Sequence, residues 1–313
     1  AKRADGAQVD HIPGQLVIQY TDRCNAFCPQ CNMRATESYR RSTLSLDNGK
    51  RIIDYAAARG IKAISFTGGE PFLCFDEIVS LLKYAKSAGI KYTRTGTNGF
   101  IFTESESIHY RSRITKIAES LAEAGIYTLW ISLDSAVPAI HESMRGLTGV
   151  VAGIEKALPI FHEHGIYPSA NLGINRNIAG TPIDNISPLD AYHAFKSAFE
   201  KYYRFILDLG FTMVNACYPM SIHNSSDTTL DAIYRATSDA RLVQFSNLEK
   251  AAVFRALFDV IPQFRSKIRI FTPRSALYAL IKQYLLGEES CYPCRGGKEF
   301  FFITARGADT YPC

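Results

Sequence analysis

The feature that most limits the fold is a unit that recurs along the chain: a β-rich run, a glycine or polar turn, then an amphipathic helix. Strand-like runs fall at 16–20, 63–67, 91–98, 128–134, 169–175 and 211–218, and helical patterns lie near 46–59, 76–88, 112–124, 149–164 and 189–209, with one more near 247–265. Five of these helices close on a glycine suited to a left-handed C-cap, in "AAARG", "KSAGI", "AEAGI", "HEHGI" and "LDLGF". Strands alternating with helices of this length imply parallel crossovers of one hand. Six such units predict an α/β chain forming a (βα)6 partial TIM barrel. Chemistry in such barrels sits in the loops that follow the strands, and every unusual motif of this chain falls there.

The 313 residues suit one large α/β domain with a small appendage. The pattern divides them into an N-terminal extension (1–15), the barrel (16–286) and a Cys- and Gly-punctuated segment (287–313). A long polar interruption at 219–246 follows the sixth strand and is expected to face substrate. No apolar run reaches the roughly 18 to 20 residues of a membrane span, and no secretory signal is legible, so a cytoplasmic enzyme is expected. A net charge of +5 with scattered Lys and Arg gives no basic patch for nucleic acid. The eight cysteines are too few for a disulfide scaffold, and their clustering favours metal.

Three of them, Cys24, Cys28 and Cys31, stand in "CNAFCPQC" directly after the first strand. A closed zinc site normally takes four ligands as two pairs, and no His is nearby. An iron–sulfur cube held by three thiolates keeps one iron open to another ligand. A zinc knuckle or buried thiols are the rival readings of the loop.

C-x3-C-x2-C after a first strand, with Phe27 before the second cysteine, resembles the signature of the radical S-adenosylmethionine (SAM) superfamily. The resemblance implies a [4Fe-4S] cluster on Cys24, Cys28 and Cys31 whose free iron chelates SAM. "FTGGEP" is similar to that family's GGEP motif, so Gly68, Gly69 and Glu70 would flank the methionine moiety. "WISLDS" offers Ser132 and Asp134 to the ribose, and Arg145 of "HESMRG" would pair with the SAM carboxylate. Asn171 or Asn177 of "NLGINRN" would meet the adenosyl group. Glu70 and Arg145, taken as loop residues, are expected to affect SAM affinity more than folding. The motif segment "TGTNG" (95–99) would run beneath SAM.

A second group, Cys291, Cys294 and Cys313, resembles the opening of the SPASM or twitch extension found in part of the superfamily, which holds an auxiliary [4Fe-4S] cluster. The sequence stops at Cys313, within the pattern, so a fourth ligand is expected beyond it, or from Cys217 or a substrate, or the cluster keeps an open iron; zinc is the rival occupant. Cys217, His223 and Arg295 are candidate substrate contacts, and Cys74 is expected in the core. The resemblance implies reductive cleavage of SAM to a 5′-deoxyadenosyl radical and hydrogen abstraction from a small molecule or a separately delivered peptide. It also implies a reductant such as flavodoxin or ferredoxin. Alternatives are a lyase or cyclase like the molybdopterin-precursor synthase, and a non-catalytic iron–sulfur or zinc protein.

Overall fold

A computed structural model describes residues 14–31, 40–218, 241–287, 295–306 and 310–311. The six expected strands form as β1 (Gln15–Thr21), β2 (Ala63–Gly68), β3 (Tyr92–Thr97), β4 (Thr128–Ser132), β5 (Ser169–Gly173) and β6 (Met213–Cys217), each parallel to the next. Between and after them run α1 (Leu46–Ala58), α2 (Phe75–Ser87), α3 (Tyr110–Glu123), α4 (Pro138–Arg145), α5 (Val150–Glu163), α6 (Pro188–Asp208), α7 (Asn247–Phe264) and α8 (Arg274–Leu286). The partial barrel predicted by the alternation is therefore present.

The helix ends follow local chemistry. Ser45 and Ser187 cap α1 and α6 by accepting from backbone N–H groups, and Ser246 with Glu249 forms a reciprocal capping box on α7. Gly60, Gly89, Gly125, Gly165 and Gly210, the five glycines of the C-cap pattern, have φ between 68° and 99°.

Three additions correct the sequence reading. A two-residue β7 (Arg269–Ile270) extends the sheet beyond β6, and two helices, α4 and α8, were not in the helical pattern. Helix α4 has only eight residues, while α8 buries Leu277, Ala279 and Ile281, a spacing that shows no helical stripe. At the other edge, β8 (Phe300–Ile303) pairs parallel with β1, and β9 (Thr310–Tyr311) runs antiparallel to β8. The C-terminal hairpin thus continues the barrel's own sheet. No helix among the described residues is long and apolar enough to cross a membrane.

The strands have two unlike faces. One carries Leu16, Ile18, Ile64, Phe66, Leu129, Ile131, Ala170 and Leu172, packed in one core with helix residues such as Ile53, Leu81, Ile114, Ile154 and Phe195. Parity and register put Gln15, Val17, Gln19, Ser65, Thr67, Arg94, Gly96, Trp130, Ser132, Asn171, Gly173, Asn215 and Cys217 on the opposite face, which lines the barrel. Most of this second set is only half-buried, so the lumen is polar and open.

Candidate active site

The cysteine loop leaves the C-terminal end of β1 through a clamped neck. Leu44 N–H donates to the Tyr20 carbonyl (2.8 Å) and Asp22 N–H to the Ser42 carbonyl (3.0 Å), while the Asp22 carboxylate accepts from Ser42 N–H (2.5 Å). Hydroxyls of Thr21 and Thr43 meet at 2.8 Å. Cys24, Cys28 and Cys31 are half-buried free thiols on the loop so closed.

The GGEP segment docks on that neck by its backbone. Gly69 N–H donates to the Thr21 carbonyl and Glu70 N–H to the Arg23 carbonyl, each at 2.8 Å. A Cβ on Gly68 would lie 2.1 Å from the Thr21 oxygen, and one on Gly69 would lie 2.2 Å from that of Arg23. Both glycines are needed because backbone meets backbone, and the chain they admit is the one that launches Cys24.

Glu70 is fully buried, and its carboxylate accepts from Phe72 N–H (3.0 Å) and Asn98 N–H (2.5 Å). Burial pushes its pKa up to about 7 against the pull of those hydrogen bonds. Glu70 lies in the turn after β2, as expected, and it also pins that turn to the loop after β3. Asn98 in turn donates its amide to Cys24 Sγ (3.7 Å) and to Asn25 Oδ1 (2.9 Å), and Ala26 N–H also points at Cys24 Sγ (3.5 Å).

The other flank of the loop rests on Asp134, which is 1% exposed. Its Oδ2 accepts from Arg145 (Nη2 at 2.7 Å, Nε at 2.9 Å) and from Gln30 Nε2 (3.0 Å), and its Oδ1 accepts from Gly173 N–H (3.2 Å). His141 accepts the Asp134 N–H on Nδ1 (3.0 Å), and Asn175 donates to the Asp134 carbonyl (2.8 Å). Burial, joined by the Arg145 charge, lowers His141 to about 4 and keeps it neutral. Burial opposes the Arg145 charge, yet the Asp134 carboxylate prevails and holds the guanidinium above its ordinary pKa. Arg145, the last residue of α4, also takes Phe27 N–H on its carbonyl (3.1 Å). The two residues assigned from sequence to ribose and carboxylate thus face each other, and together they brace the cysteine loop against β4, α4 and β5.

Ser132 and Asn171 are register partners on adjacent strands, both half-buried and facing the lumen. Asn171 Oδ1 accepts from Asn215 Nδ2 (3.2 Å) and from the exposed Cys217 thiol (3.3 Å). Asn177 uses its backbone in the local turn, with its N–H on Asn175 Oδ1 (2.8 Å). Cys74 is buried in the core, as expected. Arg295 is exposed and pairs with Glu299 at the foot of β8, where Gln15 N–H meets the Glu299 carbonyl at 3.0 Å. It therefore stands at the opposite end of the barrel from the cysteine loop. Cys291, Cys294, Cys313 and His223 lie outside the described residues.

Sequence reasoning did not single out Asn98, Gln30 and His141. All lie inside or beside quoted motifs, but their partners are 74, 104 and 7 residues away, which no local pattern reveals.

The donor set suits a cluster. Among the described residues no three His, Cys, Asp or Glu side chains converge on a point that would hold a single metal ion. Three thiolates on one short loop can each take one iron of a cube and leave its fourth iron open to another ligand. Burial pushes the Cys28 thiol up to about 12, with Arg145 pulling it back, so ligation must displace its proton.

A parallel partial barrel with a three-thiol loop at the C-terminal end of β1 defines a class of cofactor-dependent α/β enzymes. Residues 18–195 match the Radical SAM superfamily, and the chain belongs to it. Membership implies a [4Fe-4S] cluster and SAM. Curated relatives include an AdoMet-dependent heme synthase of Methanosarcina barkeri (30% identical, covering 46% of this chain and 39% of the relative). A GTP 3′,8-cyclase of Vibrio parahaemolyticus is 30% identical (47% of this chain, 42% of the relative). The matched region spans less than half the length of either relative. Streptococcus suis SuiB bound to S-adenosylmethionine shares the fold at TM-score 0.65 and 17% identity, over 97% of this chain and 60% of that one. AnSMEcpe with bound AdoMet does so at TM-score 0.57 and 17% identity, over 96% and 74%.

Proposed function

We propose that the chain is a radical SAM enzyme that abstracts hydrogen from a substrate held in the barrel lumen, with a second cluster on Cys291, Cys294 and Cys313 assisting. When bound, the cluster on Cys24, Cys28 and Cys31 together with SAM supplies a one-electron reductive cleavage that gives the 5′-deoxyadenosyl radical. The protein's part is to ligate, orient and exclude water. Cys24, Cys28 and Cys31 hold the iron, and the Gly68–Gly69 backbone fixes the loop that carries them. Ser132 and Asn171, on neighbouring strands, offer a hydroxyl and an amide to the nucleoside. Asp134 and Arg145 act as positioning residues for the loop, and Glu70 joins it to the turn after β3.

The observation that carries this reading is the attachment of the cysteine loop, by backbone and side chains, to three strand ends at one mouth of a polar lumen. Arg295 marks the other mouth, and the Cys291–Cys294 pair immediately precedes it in sequence. SuiB has been solved with its precursor peptide SuiA, and anSMEcpe with a peptide, whereas curated relatives include GTP cyclases. Either a peptide or a small molecule is therefore a candidate substrate, with flavodoxin or ferredoxin as the reductant.

The test is anaerobic reconstitution with SAM and dithionite, followed by mass spectrometry for 5′-deoxyadenosine and for deuterium taken from labelled candidate substrates. Formation of 5′-deoxyadenosine supports the reading; a reconstituted, iron-loaded protein that leaves SAM intact contradicts it.

A further inference from the structure

Within β1–β6 and β8, the lumen-facing positions carry neutral polar, small or apolar side chains with one exception, Arg94 on β3. No Asp or Glu shares that face. The register places Arg94 beside Ser65 of β2 and Thr128 of β4. Its Nη1 donates to Gln15 Oε1 at 3.3 Å, and Gln15 passes the contact on through Nε2 to Ser65 Oγ at 3.0 Å. The side chain is half-buried, and burial lowers its pKa. Among the described residues no carboxylate pairs with it. Arg145 and Arg176, by contrast, each pair with carboxylates: Arg145 with Asp134, and Arg176 with Glu249 at 2.7 Å and Asp184 at 3.7 Å.

A guanidinium has five N–H donors, and taking it partly out of water without a counter-charge is costly. A binding site repays that cost when an anion arrives, and a guanidinium suits a carboxylate or phosphate because its parallel N–H groups meet two oxygens at once. Position separates this anion from SAM itself. Asn98, whose amide touches Cys24, stands four residues further along the chain. A strand rise of about 3.3 Å per residue sets Arg94 roughly 13 Å back along the strand, toward the opposite end of the barrel.

We propose that Arg94, with the Ser65 hydroxyl beside it, receives an oxyanion, carboxylate or phosphate, of the substrate held in the lumen. This rests on the radical SAM reading above, and it narrows the substrate to molecules with an anionic group well separated from the carbon that loses hydrogen.

Trp130, the chain's single tryptophan, provides the readout. It faces the lumen opposite Gly96, where a Cβ would come within 3.3 Å of its ring, so the indole lies against β3 two residues from Arg94. Reconstituted full-length protein is titrated with glutarate and, separately, with inorganic phosphate at constant ionic strength, following Trp130 emission. A saturable change is expected with at least one anion, and which one responds identifies the oxyanion. Removing a charge-assisted contact should weaken that binding about tenfold or more in Arg94→Met, with part of the affinity kept in Arg94→Lys. No saturable change in the wild type, or equal binding by a folded Arg94→Met variant, overturns the proposal. Quenching of wild-type Trp130 by iodide and by caesium gives a test that needs no variant: iodide should be the better quencher relative to each ion's effect on free tryptophan, and equal or reversed efficiency overturns the assignment. SAM cleavage by the same wild-type preparation is measured separately, so that failure of the enzymatic reading and failure of the anion site are told apart.

Discussion

Glu70 shows how one side chain carries both fold and site. Its carboxylate serves two backbone N–H groups in a fully buried place. Replacing it by Gln presents an amide N–H₂ to a backbone donor, and leaving a buried donor unpaired costs about 1–3 kcal/mol. The pH dependence follows from its pKa, raised from 4.5 to about 7. The folded state binds the proton more tightly than the unfolded one, so this group's contribution is full below the unfolded value and is lost as pH rises through about 7. Denaturant midpoints measured between pH 4.5 and 8 should show that decline in the wild type and its absence in Glu70→Gln. Equal slopes would refute the assignment. Gly69→Ala belongs to the same scale. Its Cβ would strike the Arg23 carbonyl, so the variant should keep its far-ultraviolet circular dichroism while losing iron from the first cluster.

Elements were legible where local chemistry sets them. Periodicity and the terminal glycines located six strands and, apart from the short α4, the helices between them within a few residues, because a 3.6-residue stripe and a positive-φ stop are both written locally. The motif cysteines and glycines were legible for the same reason. The braces were not: Gln30 meets Asp134 across 104 residues, and Arg176 binds the Gln244 carbonyl at 2.6 Å across 68. Such pairs appear only once the strand order is known. Two variants test the braces. Asp134→Ala removes one partner of a buried ion pair that also holds Gln30, and should cost about 3–5 kcal/mol on denaturant unfolding. Arg176→Met frees the Ile183, Arg241 and Gln244 carbonyls and the Glu249 carboxylate, loosening the attachment of α7 to the loop after β5. Faster amide exchange at 241–249 than in the wild type is the expected sign, and unchanged exchange would remove Arg176 from that role.

At the scale of the molecule, a polar lumen opens at one end on the cysteine loop and at the other on the foot of β8. If the auxiliary cluster exists, replacing Cys291, Cys294 and Cys313 with Ala should remove roughly half the iron, assuming two four-iron clusters, and leave formation of 5′-deoxyadenosine intact. Loss of zinc with full iron retention would instead assign that site to zinc. The central claim is that Cys24, Cys28 and Cys31 hold the cluster at which SAM is cleaved. It is tested most directly by comparing the wild type with the Cys24→Ala, Cys28→Ala, Cys31→Ala variant after anaerobic reconstitution, counting iron and 5′-deoxyadenosine in the same samples. The account predicts that the variant lacks about four irons and makes no 5′-deoxyadenosine. Full iron content, or SAM cleavage that survives the three substitutions, would contradict it.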